Sequence, residues 1–401
     1  MKKTEEIAEL HKQYVMGTYA PGLALVRGEG VKVWDADGKE YLDFLAGIAV
    51  VNVGHCHPKV VEAIREQAGK LMHVSNLYYN ENQPKLAEAI STRSLGGKCF
   101  FCNSGAEANE AMIKLARLWG HDKGKHEIIT MRNSFHGRTL ATLAATGQTK
   151  YQKGFEPMPE GFVLAEYNNL DSVQDAITDK TVAVMVEAIQ GEGGILPADP
   201  EFMKGVRALC DEKDLLLLCD EVQCGIARTG HWFGFQSFGV NPDAFTLAKG
   251  LGGGFPIGAL VTSPKLADVF KPGNHASTFG GTPLACATAL AVIRTIEEEQ
   301  LLENAAKMGE LFMGKLREIG SKYDFVKDIR GKGLMIGMVI DRPCKDLEVI
   351  LREKGLITIA TADVVIRFLP PLIVTESDIE AAAKIVDQAC AEWQGKLGDK
   401  K

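Results

Sequence analysis

The chain has 401 residues, of which 46% are hydrophobic and 24% are charged, and its formal net charge is −7. This is an ordinary globular composition, and a chain of this length can bury a large core without disulfides or metal ions. Acidic and basic residues are interspersed, which argues against a nucleic-acid partner. No apolar run approaches the ~18 residues of a membrane span, so no membrane partner is expected.

The nine cysteines are an odd number scattered along the chain. This distribution argues against a disulfide framework and favours a reducing compartment. The first ten residues carry Glu5, Glu6 and Glu9 and lack the apolar segment of a secretory signal. We therefore expect a cytoplasmic protein.

The N-terminal part of the chain predicts a polar helix or arm over residues 4–15 and then a hairpin. Apolar and polar residues alternate in the segments 31–34 and 40–44, on either side of an Asp-Gly turn at Asp37 and Gly38. Apolar side chains then recur at helical spacing over residues 58–71.

The middle of the chain alternates short apolar runs with helical stretches. The runs are residues 98–102, 127–131, 182–186, 215–219 and 244–248. Several are apolar throughout, which is typical of parallel strands covered on both faces. The alternation predicts a mostly parallel sheet with crossover helices. Asp199 and Pro200 predict the start of one of these helices.

Longer helices follow Pro283, and strands return at residues 326–330, 334–340 and 364–368. Thr375 is expected to begin the last helix, with Asp378 as a capping acid. We predict an α/β fold with a large domain at residues 53–290. A smaller α+β domain would be formed by both chain ends, with residues 1–52 as an N-terminal arm and part of it, and residues 291–401 as its C-terminal part.

Candidate functional residues follow the apolar runs, because ligands of open α/β sheets bind at the carboxyl ends of strands. Asp220 and Glu221 follow the run at 215–219. A buried acid needs a partner, so Asp220 could be a metal ligand, a general base, a cap or the partner of a cationic ring. Lys249 follows the run at 244–248, where partial desolvation favours a neutral, nucleophilic amine. The alternative for Lys249 is a surface lysine beside a flexible glycine-rich loop.

Two further segments suit an anionic, aromatic ligand. The N–H groups of Gly105 and Ala106 lie at a predicted helix start and can bind an anion, although this pattern alone favours a tight packing turn. Phe135 could cover a flat ring, and Arg138 could bind a carboxylate. Arg367, in another apolar strand, is a second candidate for a carboxylate, with a structural ion pair as an equal alternative.

Two patterns have metal-like spacing but lack further ligands. The pair Cys99 and Cys102 lies within an apolar run, which favours buried core cysteines over zinc or redox chemistry. The triplet from His55 to His57 is better interpreted as a turn before the helix at Pro58. No metal site is predicted.

These candidate residues together suit one ligand, pyridoxal 5′-phosphate (PLP), which is a cationic ring with a phosphate and an aldehyde. They comprise a lysine, a buried acid, an anion-binding turn, an aromatic side chain and two arginines. The chain resembles the class III (ω-amino acid) aminotransferases of PLP fold type I, and within them the acetylornithine aminotransferases most. The ordered motifs that carry the resemblance are residues 104–110, 134–139, 187–194, 220–223, 249–254 and 277–281, with further similarity at 31–38, 54–58 and 367–371.

This resemblance implies that Lys249 binds PLP covalently and that Asp220 holds the ring nitrogen, so both are expected catalytic residues. The cofactor contacts that it implies are Gly105, Ala106, Phe135, Asp220, Glu221, Val222, Gln223, Lys249 and Thr278. Thr278 would reach the phosphate bound to the neighbouring subunit, so a homodimer with shared active sites is expected.

The resemblance also implies a set of substrate contacts. Arg138 would bind the carboxylate far from the reacting amine, and Arg367 the carboxylate next to it, while Ser277 would touch the donor. Glu192 would pair with Arg367 for an ω-amine donor and move aside for glutamate. Tyr19 matches a substrate-contacting tyrosine, but the arginine expected after it is missing, so Tyr19 is assigned no role.

The expected reaction converts N2-acetyl-L-ornithine and 2-oxoglutarate to N-acetyl-L-glutamate 5-semialdehyde and L-glutamate, a step of arginine biosynthesis. One alternative is another ω-aminotransferase, acting on ornithine, succinylornithine, N-succinyl-diaminopimelate or 4-aminobutyrate, or an aminomutase. The other is a non-catalytic PLP-fold binding protein, against which the presence of Lys249, Asp220 and Arg138 counts.

Overall fold

The computed structural model describes residues 3–398. The helices of this part of the chain are α1 Lys3–Tyr14, α2 Ala46–Ala49, α3 Pro58–Ala68, α4 Asn82–Ser91, α5 Gly105–Gly120, α6 Leu140–Ala145, α7 Leu170–Asp175, α8 Pro200–Glu212, α9 Pro283–Glu298, α10 Leu301–Gly320, α11 Lys345–Glu353 and α12 Glu376–Gly398. Short 3₁₀ turns lie at His121–Lys123, Thr149–Tyr151, Gly234–Phe238 and Lys249–Leu251.

The strands are β1 Leu25–Glu29, β2 Lys32–Asp35, β3 Glu40–Asp43, β4 Cys99–Cys102, β5 Glu127–Met131, β6 Phe162–Ala165, β7 Thr181–Glu187, β8 Ile189–Gln190, β9 Leu196–Pro197, β10 Leu216–Asp220, β11 Ala244–Leu247, β12 Gly258–Thr262, β13 Val326–Lys332, β14 Met335–Ile340, β15 Leu356–Ile357, β16 Ile359–Thr361 and β17 Val365–Phe368. The predicted hairpin is confirmed, because β2 and β3 pair antiparallel.

A seven-stranded sheet forms the centre of the molecule, in the order β4-β12-β11-β10-β7-β5-β6. The strands from β11 to β6 pair in parallel, and β12 runs antiparallel to both of its neighbours. All five predicted runs lie in this sheet, so the mostly parallel sheet is confirmed. Strands β7, β10 and β11 are buried along their whole length, which explains why their sequences are apolar without alternation.

Two four-stranded sheets are built from the chain ends. In one, β15 from the C-terminal part pairs in parallel with β3 from the N-terminal part, in the order β1-β2-β3-β15. The other is antiparallel, in the order β13-β14-β17-β16, and we call it the C-terminal sheet. The α/β fold class is therefore confirmed, whereas the domain boundaries at residues 52/53 and 290/291 stay a prediction.

Two helix starts show how local sequence fixes these elements. Ser104 caps α5 by accepting the N–H of Glu107 at 3.2 Å, and the Glu107 carboxylate accepts the N–H of Asn103 at 2.6 Å. Ser104 therefore acts as the N-cap of α5, while Glu107 holds the residue before it. The predicted cap of α12 also forms, since Thr375 N–H donates to the Asp378 carboxylate at 2.9 Å. Asp199 precedes α8 as predicted but makes no side-chain cap bond.

A fully buried guanidinium joins the seven-stranded part of the molecule to the C-terminal sheet. Arg228 donates to the carbonyl oxygens of Leu334, at 3.1 Å, and Pro370, and to Asn52 Oδ1 at 2.6 Å. Asn52 in turn lies so close to Gly250 that a Cβ there would be 2.3 Å from the amide nitrogen. Glycine is therefore required beside Lys249, and we call this arrangement the Arg228 joint.

The remaining cysteine and histidine patterns have structural partners. Cys99 and Cys102 lie in β4 as free thiols, and burial raises the pKa of each to about 12. His55 bonds the Asp43 carboxylate at 2.7 Å, and His57 lies 3.3 Å from that of Glu299. Residues 3–398 contain no cluster of three or more such side chains that could hold a metal. Within the same range, no helix has the length and apolar character needed to cross a membrane.

Candidate active site

A cavity of about 430 Å³ lies at the carboxyl ends of β7, β10 and β11. Its position is the one that open α/β sheets use for ligands, and its size is typical of a small-molecule site. It brings together most of the residues predicted from the sequence: Gly105, Ala106, Phe135, Arg138, Glu192, Asp220, Val222, Gln223 and Lys249.

Lys249 is placed at the cavity by the end of β11 and has a left-handed backbone, with φ of 42°. A non-glycine residue in this conformation is uncommon and is often found at functional sites. Burial lowers the pKa of Lys249, outweighing the opposing charge of Glu192, and the positive charge of Arg367 adds to the lowering. The site therefore shifts Lys249 towards the neutral amine, which is the direction expected from the sequence.

Asp220 ends β10 and is only 4% exposed. Its Oδ2 accepts from the Asn109 amide and lies 2.8 Å from His136 Nδ1, and its Oδ1 accepts the Val222 N–H at 3.0 Å. Burial alone would lower the pKa of His136, but the hydrogen bond and charge of Asp220 outweigh burial and raise it. The carboxylate is thus held at a fixed orientation beside a histidine that favours its charged form.

Asn109 and His136 were assigned no role from the sequence, although both lie within the recognised motifs. Asn109 interrupts the buried, mostly apolar face of α5, and its amide oxygen accepts from Thr246 Oγ1 at 2.7 Å. A buried amide needs partners, so its place on this face was the available signal. His136 Nε2 is buried and has no partner among the described residues, and His136 lines the cavity.

Glu187 was also missed, although it ends β7 just as Asp220 ends β10. Its carboxylate accepts the N–H groups of Phe135, at 3.0 Å, and Gly191, at 3.4 Å. Burial raises the pKa of Glu187 to about 7, with the charge of His136 opposing the rise. The rule that identified Asp220, an acid at the end of a buried strand, would have identified Glu187 as well.

The opposite part of the cavity combines a helix start with aromatic side chains. Gly105 and Ala106 begin α5, and N–H groups in a first helical turn have no acceptor within the helix, so they can bind an anion. The ring of Phe135 meets that of Tyr151 edge-on at 5.9 Å, and the Arg138 guanidinium lies 5.3 Å from the Phe135 ring centre and 4.1 Å from that of Tyr151.

Arg367 and Glu192 form an ion pair in the site, with 2.6 Å between Nη1 and Oε1. The same Nη1 donates to Gln223 Oε1 at 3.2 Å, while the Arg367 Nε has no partner in the described chain. Burial alone would raise the pKa of Glu192, but the charge and hydrogen bond of Arg367 outweigh it and lower the pKa. Arg367 is 1% exposed, so its charge depends on this carboxylate.

Three residues predicted for the site lie elsewhere. The Glu221 carboxylate points to the N–H groups of Gly234, at 2.7 Å, and Phe235, at 2.9 Å, and burial raises its pKa to about 8. Ser277 and Thr278 line a second cavity of about 790 Å³. Ser277 still reaches the edge of the first cavity, since its hydroxyl accepts from Asn103 at 3.3 Å. The roles implied for these residues stay predictions.

The cavity fits the features of PLP. Asp220, oriented by three donors, can bind a protonated ring nitrogen, and the free N–H groups at the start of α5 can bind a phosphate. Phe135 can cover a ring, Gln223 can reach a ring hydroxyl, and the Lys249 amine faces the same space.

The sequence and structure were compared with known proteins. The family model for aminotransferase class III matches residues 15–390. A curated acetylornithine aminotransferase from Caldanaerobacter subterraneus subsp. tengcongensis is 53% identical over 387 residues, covering 95% of this chain and 98% of that protein.

Two solved structures are also closely similar. An ornithine aminotransferase from Toxoplasma gondii, described with PLP at its active site, has a TM-score of 0.95 and 33% identity, covering 98% of this chain and 96% of that one. The acetylornithine aminotransferase from Elizabethkingia anophelis has a TM-score of 0.87 and 36% identity, with coverage of 97% and 100%. The chain therefore belongs to the class III aminotransferases, whose cofactor is PLP.

Proposed function

We propose that the protein transfers the terminal amino group of N2-acetyl-L-ornithine to 2-oxoglutarate, giving N-acetyl-L-glutamate 5-semialdehyde and L-glutamate, in arginine biosynthesis. The name of the curated relative at 53% identity supports this donor. The site supports the same donor. The proposed reaction uses one substrate without a carboxylate at the reacting carbon and one with it, and the pair of Arg367 and Glu192 suits both.

The observation that carries the proposal is the ion pair of Arg367 and Glu192, at 2.6 Å. An ω-amine donor has no carboxylate beside the reacting carbon, so a buried Arg367 would be unpaired without Glu192, at a high cost in free energy. When glutamate binds, its own α-carboxylate can replace Glu192 on Arg367. The Glu192 side chain is 24% exposed, so it has room to rotate away from Arg367.

Arg138 is proposed to bind the other end of the substrate. It lines the same cavity as Lys249, and its guanidinium is placed over Tyr151. Arginine forms paired hydrogen bonds with carboxylates, so Arg138 can hold the carboxylate of acetylornithine or the distal carboxylate of glutamate. With both ends of the substrate fixed, the reacting carbon is oriented towards Lys249.

Lys249 is proposed to move the proton in both half-reactions. When bound, PLP supplies a ring that accepts electrons from the substrate carbon. The lowered pKa of Lys249 keeps its Nζ able to accept the proton from that carbon and to return it at the neighbouring position. Asp220 is held in place by its three donors, so its carboxylate can bind a protonated ring nitrogen in both half-reactions.

The active form is proposed to be a homodimer in the cytoplasm. Large apolar side chains are exposed between residues 71 and 79. Two of them, Leu77 and Tyr79, line the second cavity together with Ser277 and Thr278. An exposed apolar surface of this kind marks an interface, and a partner seated there would receive Thr278 at its own site. Nine cysteines without disulfides suit a reducing compartment.

A donor panel tests the proposed substrate. Purified protein with PLP and 2-oxoglutarate is assayed with acetylornithine, ornithine, succinylornithine, N-succinyl-diaminopimelate and 4-aminobutyrate. We expect the largest kcat/KM for acetylornithine. A higher kcat/KM for 4-aminobutyrate would contradict the proposal, and turnover without a keto acid would indicate an aminomutase.

Replacing Lys249 separates an enzyme from a binding protein. For Lys249→Ala, we expect kcat to fall by about 10²–10⁴-fold, as when a general acid–base group is removed, and the visible absorbance of bound PLP to change. The control is Lys265→Ala, which removes a partly exposed lysine that lies 3.3 Å from Asp243. A Lys249→Ala protein with the colour and activity of the parent would refute the enzymatic role of this site.

A further inference from the structure

Glu192 lies at the tip of a small hairpin. Strands β8 and β9 pair antiparallel, and the tip between them spans residues 191–195. The tip is packed closely on its inner side, because a Cβ at Gly191 would be 2.3 Å from the Gln223 amide oxygen. The position of Glu192 is therefore set by where this tip rests.

The C-terminal sheet holds the tip through side chains from three of its strands. Arg367 of β17 pairs with the Glu192 carboxylate at 2.6 Å. Thr361 of β16 donates its hydroxyl to the Glu192 carbonyl oxygen at 3.1 Å. Arg330 of β13 donates through Nε, at 3.2 Å, and Nη2, at 2.8 Å, to the carbonyl oxygen of Gly194.

The Arg330 guanidinium donates to a carbonyl oxygen and not to a carboxylate. Within residues 3–398 it makes no ion pair, and burial lowers its pKa while the charge of Asp328 opposes this effect. A partly buried cation that gives two hydrogen bonds to one carbonyl holds that carbonyl strongly, since bonds from charged donors are the stronger kind. Of these three contacts, the one from Arg367 engages the Glu192 side chain, whereas those from Thr361 and Arg330 hold the backbone of the tip.

We propose that Arg330 and Thr361 are positioning residues that set the preference of the site between ω-amine donors and glutamate. They hold the backbone of the hairpin tip, so that Glu192 leaves Arg367 by side-chain rotation alone and returns to the same place. This inference rests on the proposed function, because it assigns the two residues to the alternation of substrates on Arg367. Neither residue lines the cavity, so each acts through Glu192.

The test uses Arg330→Met, which keeps side-chain length and removes both donors, and Thr361→Val, which removes the hydroxyl. The control is Lys332→Met, since Lys332 lies on the same strand and its side chain makes no hydrogen bond or ion pair in the described chain. Each holoenzyme is mixed with acetylornithine or with glutamate alone, and kcat/KM is measured for each half-reaction. Two further readouts do not depend on turnover: amide hydrogen exchange over residues 189–197, and the Kd of glutarate by calorimetry.

We expect Arg330→Met and Thr361→Val to lower the ratio of kcat/KM for acetylornithine to that for glutamate. About tenfold is expected for Arg330→Met, in keeping with the loss of hydrogen bonds from a charged donor. Exchange of the hairpin amides should become faster, and glutarate should bind more tightly because Arg367 is freed more easily. Lys332→Met should leave the kcat/KM ratio, the exchange rates and the Kd of glutarate within about twofold of the parent values, the range of a surface substitution.

An unchanged ratio in both variants, in a parent that uses acetylornithine, would overturn the inference. Faster exchange with an unchanged ratio would also overturn it, since the tip would then be loosened without affecting substrate choice. If the parent itself does not use acetylornithine, the proposed function fails, whatever the variants do. If Arg330→Met does not fold, Thr361→Val still tests the inference, because it only replaces a hydroxyl by a methyl group.

Discussion

Asp220 depends on two neighbours that the mechanism does not otherwise use. Asn109 and His136 both reach Oδ2 at 2.8 Å, and the raised pKa of His136 keeps a positive charge beside it. A neutral side chain at position 220 would leave this histidine without its counter-charge, and would leave a bound ring nitrogen without its anion. The charge of Asp220, more than its shape, is therefore the property that matters.

Asp220→Asn tests this directly, because asparagine has the same shape without the charge. We expect kcat/KM for acetylornithine to fall by about 10²–10³-fold, the usual effect of removing one electrostatic group from an active site. The pKa of His136, followed by NMR, should fall because the charge of Asp220 no longer opposes the effect of burial. The control is Asp211→Asn, which removes an exposed partner of Arg207. Activity close to that of the parent would show that the charge is not needed.

At the scale of single residues, the sequence predicted two of the charged residues at strand ends, Lys249 and Asp220, but not the residues that support them. Lys249 and Asp220 each follow a buried strand, where a charge is unexpected unless it binds something. Asn109 lies on a helix, and its contact with Asp220 spans 111 positions in sequence, so only the folded chain places them together. Glu221 was expected beside the cofactor from the resemblance. In the structure its carboxylate points to the N–H groups of Gly234 and Phe235, because neighbouring residues at a strand end point in opposite directions.

Glu221 acts on an element, the 3₁₀ turn Gly234–Phe238. Its carboxylate accepts the first two N–H groups of that turn, which have no partners of their own within it. Burial raises the pKa of Glu221 from 4.5 to about 8. Between these two pH values the folded protein binds a proton that the unfolded chain has released, so the free energy of unfolding falls as pH rises through this window.

Glu221→Gln removes this proton and its pH dependence. We expect the Tm of the parent to fall between pH 5.5 and pH 8.5 by more than that of Glu221→Gln, both measured as holoenzymes by calorimetry. Other titrating groups, including Glu187, are shared by the two proteins and cancel in the comparison. Parallel Tm curves across this range would contradict the prediction.

At the scale of elements, buried parallel strands were the easiest to predict, because each is a short apolar run between helices. Strands β6 and β12 were not predicted. β12 follows closely on the glycine-rich segment and runs antiparallel to β4 and β11. One of its two partners, β4, lies more than a hundred residues earlier in the chain. The spacing of apolar residues near β12 therefore did not indicate a strand.

The described part of the molecule includes an apolar surface that a single chain leaves uncovered. Leu77 is 84% exposed and Tyr79 is fully exposed, at 106%. Both line the second cavity beside Thr278. Side chains of this size gain about 1.5–3 kcal/mol each when a partner buries them, which is the reason to place the proposed dimer contact here.

Tyr79→Asp should weaken the proposed dimer and its activity together. We expect sedimentation velocity to show a shift towards monomers, with activity falling in proportion because Thr278 then reaches no second site. The control is Gln394→Asp, at an exposed position on α12, which should leave both properties unchanged. A monomeric Tyr79→Asp protein with full activity would show that the sites are not shared.

The Arg228 joint has a consequence for how the protein responds to acid. Its acceptors are two carbonyl oxygens and an amide oxygen, none of which takes up a proton in the range where carboxylates do. Acidification breaks ion pairs by neutralising their carboxylates, yet it leaves this link intact. We expect the C-terminal sheet to stay attached behind Lys249 at pH values where the pair of Arg367 and Glu192 has already been lost. Acid would thus abolish substrate choice while the two parts of the molecule are still assembled.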